Sequence, residues 1–175
     1  MSAQDISYSS ELTRSMTMLA DHPQTIFVGQ GVGYNCHRMW DTLEGVPMDK
    51  RVELPVAEDF QMGFSTGLAL AGYIPVTIYP RWDFLLLAAN QLVNHLDKCN
   101  RWGWKPQMLI RVAAGATKPL NPGPQHSQDH TEAFKKMLTW VHVIKLEKSE
   151  FVFANYSLAL EMKRPVMLVE YMEQY

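Results

Sequence analysis

The stretch LPVAED at residues 54–59 is the junction from which the fold of this chain can be worked out. Pro55 ends a short extended piece, because its ring removes a backbone donor and keeps the preceding residue out of the helical region. The residues that follow have a helical pattern, with Phe60 and Phe64 four positions apart. The stretch therefore predicts a strand followed by a helix, with Glu58 at its start. An acid at such a position is often an exposed side chain favoured by the helix dipole, so position alone assigns it no chemistry.

The rest of the chain continues this alternation of short apolar runs and helical patterns. Strands are predicted at residues 25–28, 52–54, 75–79, 108–112, 141–145 and 165–170. Helices are predicted at residues 9–20, 59–71, 83–99, 131–139 and 149–162. Strands that alternate with helices predict an α/β fold, with a mainly parallel sheet covered by helices on both faces.

Local signals refine these elements. Ser9 or Ser10 is the predicted N-cap of the first helix, and Gly72 suits the C′ position of the helix after Glu58. Two segments without a period, residues 30–50 and 113–130, are predicted to be long loops. Ligands of parallel α/β sheets bind beyond the carboxyl ends of strands, so we expect both loops and Glu58 near such ends.

Length and composition limit the class of protein. The 175 residues predict a single domain over residues 1–175, and 47% apolar against 19% charged residues excludes a disordered chain. A net charge of −2 argues against nucleic-acid binding, and no run approaches the roughly 18 apolar residues that span a membrane. The N-terminus lacks a signal-peptide pattern, and Cys36 and Cys99 lack the spacing of a zinc or redox motif. We expect buried or half-buried thiols in a cytoplasmic protein.

Three motifs carry weaker signals. The segment GQGVG at residues 29–33 resembles a dinucleotide-binding loop, but Tyr34 occupies the third glycine position and no helical period follows. His126, Asp129 and His130 could bind a metal, but they lie in a loop and no further ligand cluster is evident, so no metal site is predicted. The loop histidine His126 is either solvated or a donor to an anionic substrate, and the sequence leaves both readings open.

Four blocks of sequence carry a more specific signal: residues 54–58 with the glycine-spaced residues 63–72, residues 83–98, residues 109–111 and residues 123–134. Together they resemble the pyrimidine-binding domain of thiamine-diphosphate enzymes, as found in transketolase and, more specifically, in the beta subunit of 2-oxo acid dehydrogenases of the pyruvate dehydrogenase type. The resemblance covers residues 25–170 and implies the thiamine-diphosphate pyrimidine-binding fold.

The resemblance also implies roles for individual residues. Glu58 would hydrogen-bond the N1′ nitrogen of the pyrimidine ring and promote deprotonation of the thiazolium carbon, which makes it catalytic and cofactor-binding at once. Phe84 would stack on the pyrimidine, and His126 would donate to the substrate carboxylate or the developing intermediate. Val56 and Pro80 would also line the cofactor site. Gly63 and Gly67, four residues apart, form a strip of small residues that would receive a partner subunit.

Four departures from the family shape the expected function. The family's C-terminal domain is expected to be absent, and no Gly-Asp-Gly motif with a later Asn occurs, so the diphosphate and its Mg²⁺ are expected on a partner chain. Gln30 stands where the family tends to place an acid, which would interrupt an acidic proton path between paired sites. The segment 113–125 is poorer in glycine than its family counterparts, which leaves the substrate open.

The resemblance therefore predicts the pyrimidine-binding subunit of a split enzyme. We expect it to be active only with a diphosphate-binding, alpha-like subunit, in a heterotetramer. The expected reaction is decarboxylation of a small 2-oxo acid with transfer of an acyl or aldehyde unit. A split transketolase-like enzyme that acts on sugar phosphates is one alternative. A noncatalytic assembly subunit that keeps the fold is another.

Overall fold

The computed structural model of the chain describes residues 7–115, 118 and 121–175. Residues 116, 117, 119 and 120 of the predicted loop over 113–130 lie outside the described residues. The helices are α1 (Tyr8–Asp21), α2 (Arg38–Asp41), α3 (Glu58–Leu70), α4 (Trp82–Leu85), α5 (Thr131–Met137) and α6 (Ser149–Glu161). The strands are β1 (Thr25–Gly29), β2 (Arg51–Glu53), β3 (Ile74–Tyr79), β4 (Leu109–Ala114), β5 (His142–Leu146) and β6 (Val166–Tyr171).

Within this part of the chain the strands form one six-stranded sheet in the order β2-β1-β3-β4-β6-β5, and every neighbouring pair is parallel. One hydrophobic core packs α1, α2 and α6 on one face of the sheet. A second core packs α3, α4 and α5 on the other face. The predicted α/β fold with helices on both faces is confirmed, and each predicted strand is present within about two residues of its expected ends.

Helix α3 ends as the sequence predicts. Gly72 has a φ of +95° and is the C′ residue. Its N–H donates to the carbonyl of Ala69 at 3.3 Å, and the N–H of Tyr73 donates to the carbonyl of Leu68 at 3.1 Å. These two bonds make a Schellman motif, which satisfies carbonyls that the end of the helix leaves free.

Four local predictions are wrong. The N-cap of α1 is Ser7, whose hydroxyl accepts from the N–H of Ser10 at 3.1 Å, and not Ser9 or Ser10. The segment over 30–50 is not all loop, because the imidazole of His37 caps α2 and a 3₁₀ turn follows at Met48–Lys50. The thiol of Cys36 is exposed rather than buried, whereas that of Cys99 is buried, and both are free. The fourth error concerns the long helix after β3.

The predicted helix over 83–99 is not one regular α-helix. The single α-helical turn α4 is followed by a 3₁₀ turn at Leu86–Ala88, a π-helical segment at Gln91–His95 and a second 3₁₀ segment at Leu96–Trp102. The path is still helical, but the hydrogen-bond spacing changes along it. Changes of this kind often occur at functional sites.

The segment Leu96–Trp102 is tied by a buried carboxylate to the residues that lead into β5. Asp97 accepts hydrogen bonds from the N–H groups of Thr139, Trp140 and Val141 at 2.7–3.1 Å, and from Lys98 at 2.6 Å. Burial raises the pKa of Asp97, but the bonds from Lys98 and the backbone outweigh it, and the pKa lies below its usual value.

The centre of the sheet holds a fully buried ion pair between Arg111 on β4 and Glu170 on β6. The guanidinium binds both carboxylate oxygens, with Nε to Oε1 at 2.7 Å and Nη2 to Oε2 at 2.9 Å. The hydroxyls of Tyr156 and Tyr175 also donate to this carboxylate. Burial lowers the pKa of Arg111, but the charge of Glu170 outweighs it and raises that pKa well above its usual value.

Among the described helices, none is long and apolar enough to cross a membrane.

Candidate functional site

Four neighbouring strands bring the predicted site residues to one edge of the sheet. The strands β2, β1, β3 and β4 are adjacent and parallel, so their carboxyl ends share that edge. Glu58 lies after β2, Gln30 directly after β1, Phe84 after β3 and His126 in the segment after β4. This is the edge at which parallel α/β sheets bind ligands.

Glu58 is the first residue of α3, and it is only 5% exposed. The start of this helix is anchored to β3 by Gln61, whose amide donates to the hydroxyl of Thr77 and to the carbonyl of Ile78, both at 2.9 Å. The hydroxyl of Tyr79 donates to the backbone carbonyl of Glu58 at 3.4 Å. Burial raises the pKa of Tyr79, so this hydroxyl keeps its proton. Glu58 is therefore a buried, anchored acid rather than an exposed one.

The side chain of Gln30 contacts the carboxylate of Glu58. The Nε2 atom of Gln30 donates to Oε1 of Glu58 at 3.1 Å. Over residues 7–115, 118 and 121–175, no donor binds the second oxygen, Oε2, which leaves one side of the carboxylate for another partner. Sequence reasoning noted Gln30 only as a departure from the family. The sequence signal that could have identified Gln30 as a site residue is its place as a polar residue between two glycines at the end of a strand.

Phe84 and His126, two predicted site residues far apart in sequence, are in contact. Their rings pack edge to face, with centroids 5.4 Å apart and an interplanar angle of 84°. Both side chains are half-buried. The backbone N–H of His126 donates to the carbonyl of Gly123 at 3.1 Å, and the hydroxyl of Ser127 donates to the same carbonyl at 3.1 Å. Ser127 is thus a turn residue, and His126 presents its ring to an aromatic neighbour.

Three hydrogen bonds tie the segment around His126 to the start of α4. The amide of Gln128 donates to Asp83 at 2.7 Å, and the indole N–H of Trp82 donates to the hydroxyl of Thr131 at 3.1 Å. Arg81 donates to the carbonyl of Gly115 at 3.3 Å. These bonds hold the segment after β4 against the start of α4, where the rings of Phe84 and His126 meet.

The remaining predicted site residues differ in how far they are exposed or covered by neighbouring side chains. Val56 is 80% exposed, and Pro80 is half-buried at the end of β3. Gly67 has open space where a side chain would stand, whereas the corresponding position of Gly63 lies 3.9 Å from Gln91 of the same chain. The strip is therefore open at Gly67 and partly covered at Gly63.

A patch of exposed apolar side chains adjoins these residues. Phe60 is 51% and Leu87 66% exposed, and Leu70 and Leu86 are also exposed. The rings of Phe60 and Phe64 are stacked with centroids 5.8 Å apart. Large exposed apolar patches are typical of surfaces that contact another chain or a ligand.

The glycine-rich segment after β1 uses its backbone donors internally. The N–H groups of Gly31 and Gly33 each donate to one carboxylate oxygen of Glu53, both at 2.7 Å. A side chain at Gly31 would lie 2.0 Å from the sulfur of Cys36, so only glycine fits there. These donors are not free for a pyrophosphate, which argues against the dinucleotide reading. Sequence reasoning missed Glu53, because its partners lie 20 or more residues upstream.

The candidate metal ligands after β4 have structural partners instead. Asp129 accepts hydrogen bonds from the N–H and the hydroxyl of Thr131 at the start of α5. The ring of His130 packs edge to face on Trp82, with centroids 6.3 Å apart. In the described parts of the chain, no group of three His, Cys, Asp or Glu residues could hold a metal ion.

The arrangement fits one end of thiamine diphosphate. A buried carboxylate with one unbound oxygen suits a ring nitrogen, and the aromatic pair Phe84 and His126 suits a flat heterocycle and an anionic substrate. What these residues fit is the aminopyrimidine half of the cofactor.

Comparisons with known proteins agree with this fold. No family model matches the chain. It is 26% identical over 163 residues, 90% of its length, to the pyruvate dehydrogenase E1 component subunit beta-4, chloroplastic, of rice (Oryza sativa subsp. japonica), and covers 40% of that protein. It is 31% identical over 100 residues, 57% of its length, to the 3-methyl-2-oxobutanoate dehydrogenase subunit beta of Mycobacterium tuberculosis, and covers 27% of that protein. The chain thus spans less than half the length of the curated relatives it matches.

A solved structure shows the same fold. The split gene transketolase, in an inactive beta4 tetramer, superimposes with a TM-score of 0.72 at 18% identity, over 96% of this chain and 52% of the other. The resemblance to the beta subunits of 2-oxo acid dehydrogenases and to a transketolase-like beta chain is confirmed.

Proposed function

We propose that this chain supplies the pyrimidine-binding half of a thiamine-diphosphate site. A separate, alpha-like chain would bind the diphosphate and its Mg²⁺. The observation that supports this proposal most directly is the buried carboxylate of Glu58, with one oxygen bound by Gln30 and the other unbound. It lies at the sheet edge that also holds Phe84 and His126. The likeness to beta subunits supports this proposal.

Each residue of the site has a separate task. When bound, thiamine diphosphate supplies a thiazolium carbon that attacks the carbonyl of a substrate. Glu58, which is only 5% exposed, would hold a proton at Oε2 for the pyrimidine nitrogen. Phe84 would present an aromatic surface, with Val56 and Pro80 beside it. His126 would donate to the anionic end of the substrate.

The proposed reaction is decarboxylation of a small 2-oxo acid with transfer of the acyl or aldehyde unit, because the named relatives are dehydrogenase beta subunits. The superposition on a split transketolase chain favours a second candidate, a split transketolase-like enzyme that acts on sugar phosphates. The third candidate is an assembly subunit without catalysis. For each of them we place the protein in the cytoplasm, where free thiols such as those of Cys36 and Cys99 persist.

The partner chain would cover the apolar patch around α3. Gly67 leaves room for close approach, and the exposed side chains of Phe60 and Leu87 supply apolar area. We propose a heterotetramer, in which each cofactor lies between the two kinds of chain. The chain alone would then be inactive.

The deciding experiment replaces Glu58 in the pair reconstituted with its diphosphate-binding chain. Glu58→Gln is expected to lower turnover at least about 100-fold, because the amide cannot exchange a proton with the ring nitrogen. Asp59→Asn, at an exposed acid in the same turn, is the matched control and is expected to keep full activity. A Glu58→Gln pair with wild-type turnover would refute the catalytic proposal. Chains that associate but bind no thiamine diphosphate would support the assembly role.

A further inference from the structure

The position of Gln30 is fixed from both sides of its backbone. Its carbonyl oxygen lies 2.9 Å from Nε2 of His37. Nδ1 of His37 accepts from the N–H of Trp40 at 3.2 Å, so the proton of a neutral imidazole must sit on Nε2, which donates to Gln30. Burial lowers the pKa of His37, which agrees with the neutral form. On the other side, the N–H of Gly31 is held by Glu53 at 2.7 Å.

This fixed backbone aims the amide of Gln30 at Glu58. The amide Nε2 can only donate, so Oε1 of Glu58 must be the acceptor in the 3.1 Å bond. A proton carried by Glu58 is then confined to Oε2. A carboxylate in place of Gln30 would give the opposite situation, because two acids at this distance would share a proton or repel each other.

We propose that Gln30 is the positioning residue of Glu58. Its amide fixes the orientation of the carboxylate, keeps Oε1 free of a proton, and so directs the exchangeable proton to Oε2, the oxygen that would be left for the cofactor. This role rests on the proposed function, since it concerns the delivery of a proton to the pyrimidine. The hydrogen bond itself can be tested in the chain alone.

The first test uses side-chain amide NMR on the ¹⁵N-labelled chain without any cofactor. The Nε2 protons of Gln30 are expected to exchange with solvent about tenfold faster in Glu58→Ala than in the wild type, because one hydrogen bond to a carboxylate is lost. Gln128, whose amide binds Asp83 at 2.7 Å, is the matched control and should keep its exchange rate. Equal exchange rates for Gln30 in both proteins would overturn the proposal.

The second test uses the reconstituted pair with thiamine diphosphate. Gln30→Met keeps the length of the side chain without a donor, and it is expected to lower kcat about tenfold while the substrate KM stays unchanged. Gln30→Glu is expected to lower kcat further, since it places a second acid beside Glu58. Both variants should unfold within about 2 °C of the wild type, because Gln30 is only half-buried.

The outcomes separate the two proposals. If Glu58→Gln is inactive while Gln30→Met and Gln30→Glu both match the wild type, the positioning role is wrong and the proposed function stands. If Glu58→Gln keeps full turnover, the proposed function fails and the positioning role fails with it. A kcat that matches the wild type in Gln30→Glu but is lowered in Gln30→Met would also overturn the proposal, because an acid at position 30 would then serve better than a hydrogen-bond donor.

Discussion

Arg111→Met is expected to lower the free energy of unfolding by about 3–5 kcal/mol. Arg111 and Glu170 are both fully buried and share two hydrogen bonds, at 2.7 and 2.9 Å. Methionine fills much of the same volume but leaves the carboxylate of Glu170 without its positive partner. The hydroxyls of Tyr156 and Tyr175 still donate to that carboxylate, but they are neutral and cannot balance a buried charge.

The loss would be a large part of the total stability, which for domains of this kind is about 5–15 kcal/mol. Urea unfolding at pH 7 measures it, with exposed Arg101→Met as a control that should change stability by less than about 0.5 kcal/mol. The double variant Arg111→Met with Glu170→Leu should be more stable than Arg111→Met alone, because an apolar pair leaves no buried charge. A single variant within 1 kcal/mol of the wild type would refute this account of the sheet centre.

Two further predictions concern Asp97 and His126. The pKa of Asp97 is lowered in the folded chain, so its stabilising effect is full above its unfolded pKa of about 4 and is lost as pH falls through the folded value. Asp97→Asn should therefore cost about 2–3 kcal/mol in urea unfolding at pH 7 and progressively less as the pH falls below about 4, and an equal cost at every pH would contradict the argument. His126→Ala should lower kcat of the reconstituted pair by roughly 100-fold and cofactor affinity far less, since His126 is assigned to the substrate. Equal losses of kcat and of cofactor affinity would assign His126 to the cofactor instead.

Much of the fold follows from local patterns. The β-branched runs at β1 and β3 and the glycine at position 72 each specify their conformation within a few residues. The N-cap of α1 could not be chosen, because Ser7, Ser9 and Ser10 are all suitable caps in sequence. The changes of helical hydrogen-bond spacing after α4 were also not predictable, since the segment has apolar residues at ordinary helical spacing and carries no proline.

Only part of the site could be predicted from the sequence. Glu58, Phe84 and His126 were assigned through a family resemblance, and the structure brings Phe84 and His126 into contact. The bonds around Gln30 join segments 28 residues apart, and no local pattern encodes such a pairing. The role of His37 as a helix cap also escaped prediction, because serine, threonine, asparagine and aspartate are the usual caps.

The two acids that flank residues 54–57 differ in how their carboxylates are bound, and this difference is the reason that we propose Glu58 for proton exchange. Glu53 accepts two backbone N–H groups at 2.7 Å, one on each oxygen, so its carboxylate holds the backbone of the segment after β1. Glu58 accepts one donor on Oε1, and Oε2 remains available. Glu53 therefore shapes the loop that carries Gln30, and Gln30 in turn orients Glu58. Under the proposed function, Glu53 holds the shape of the site, and Glu58 takes part in its chemistry.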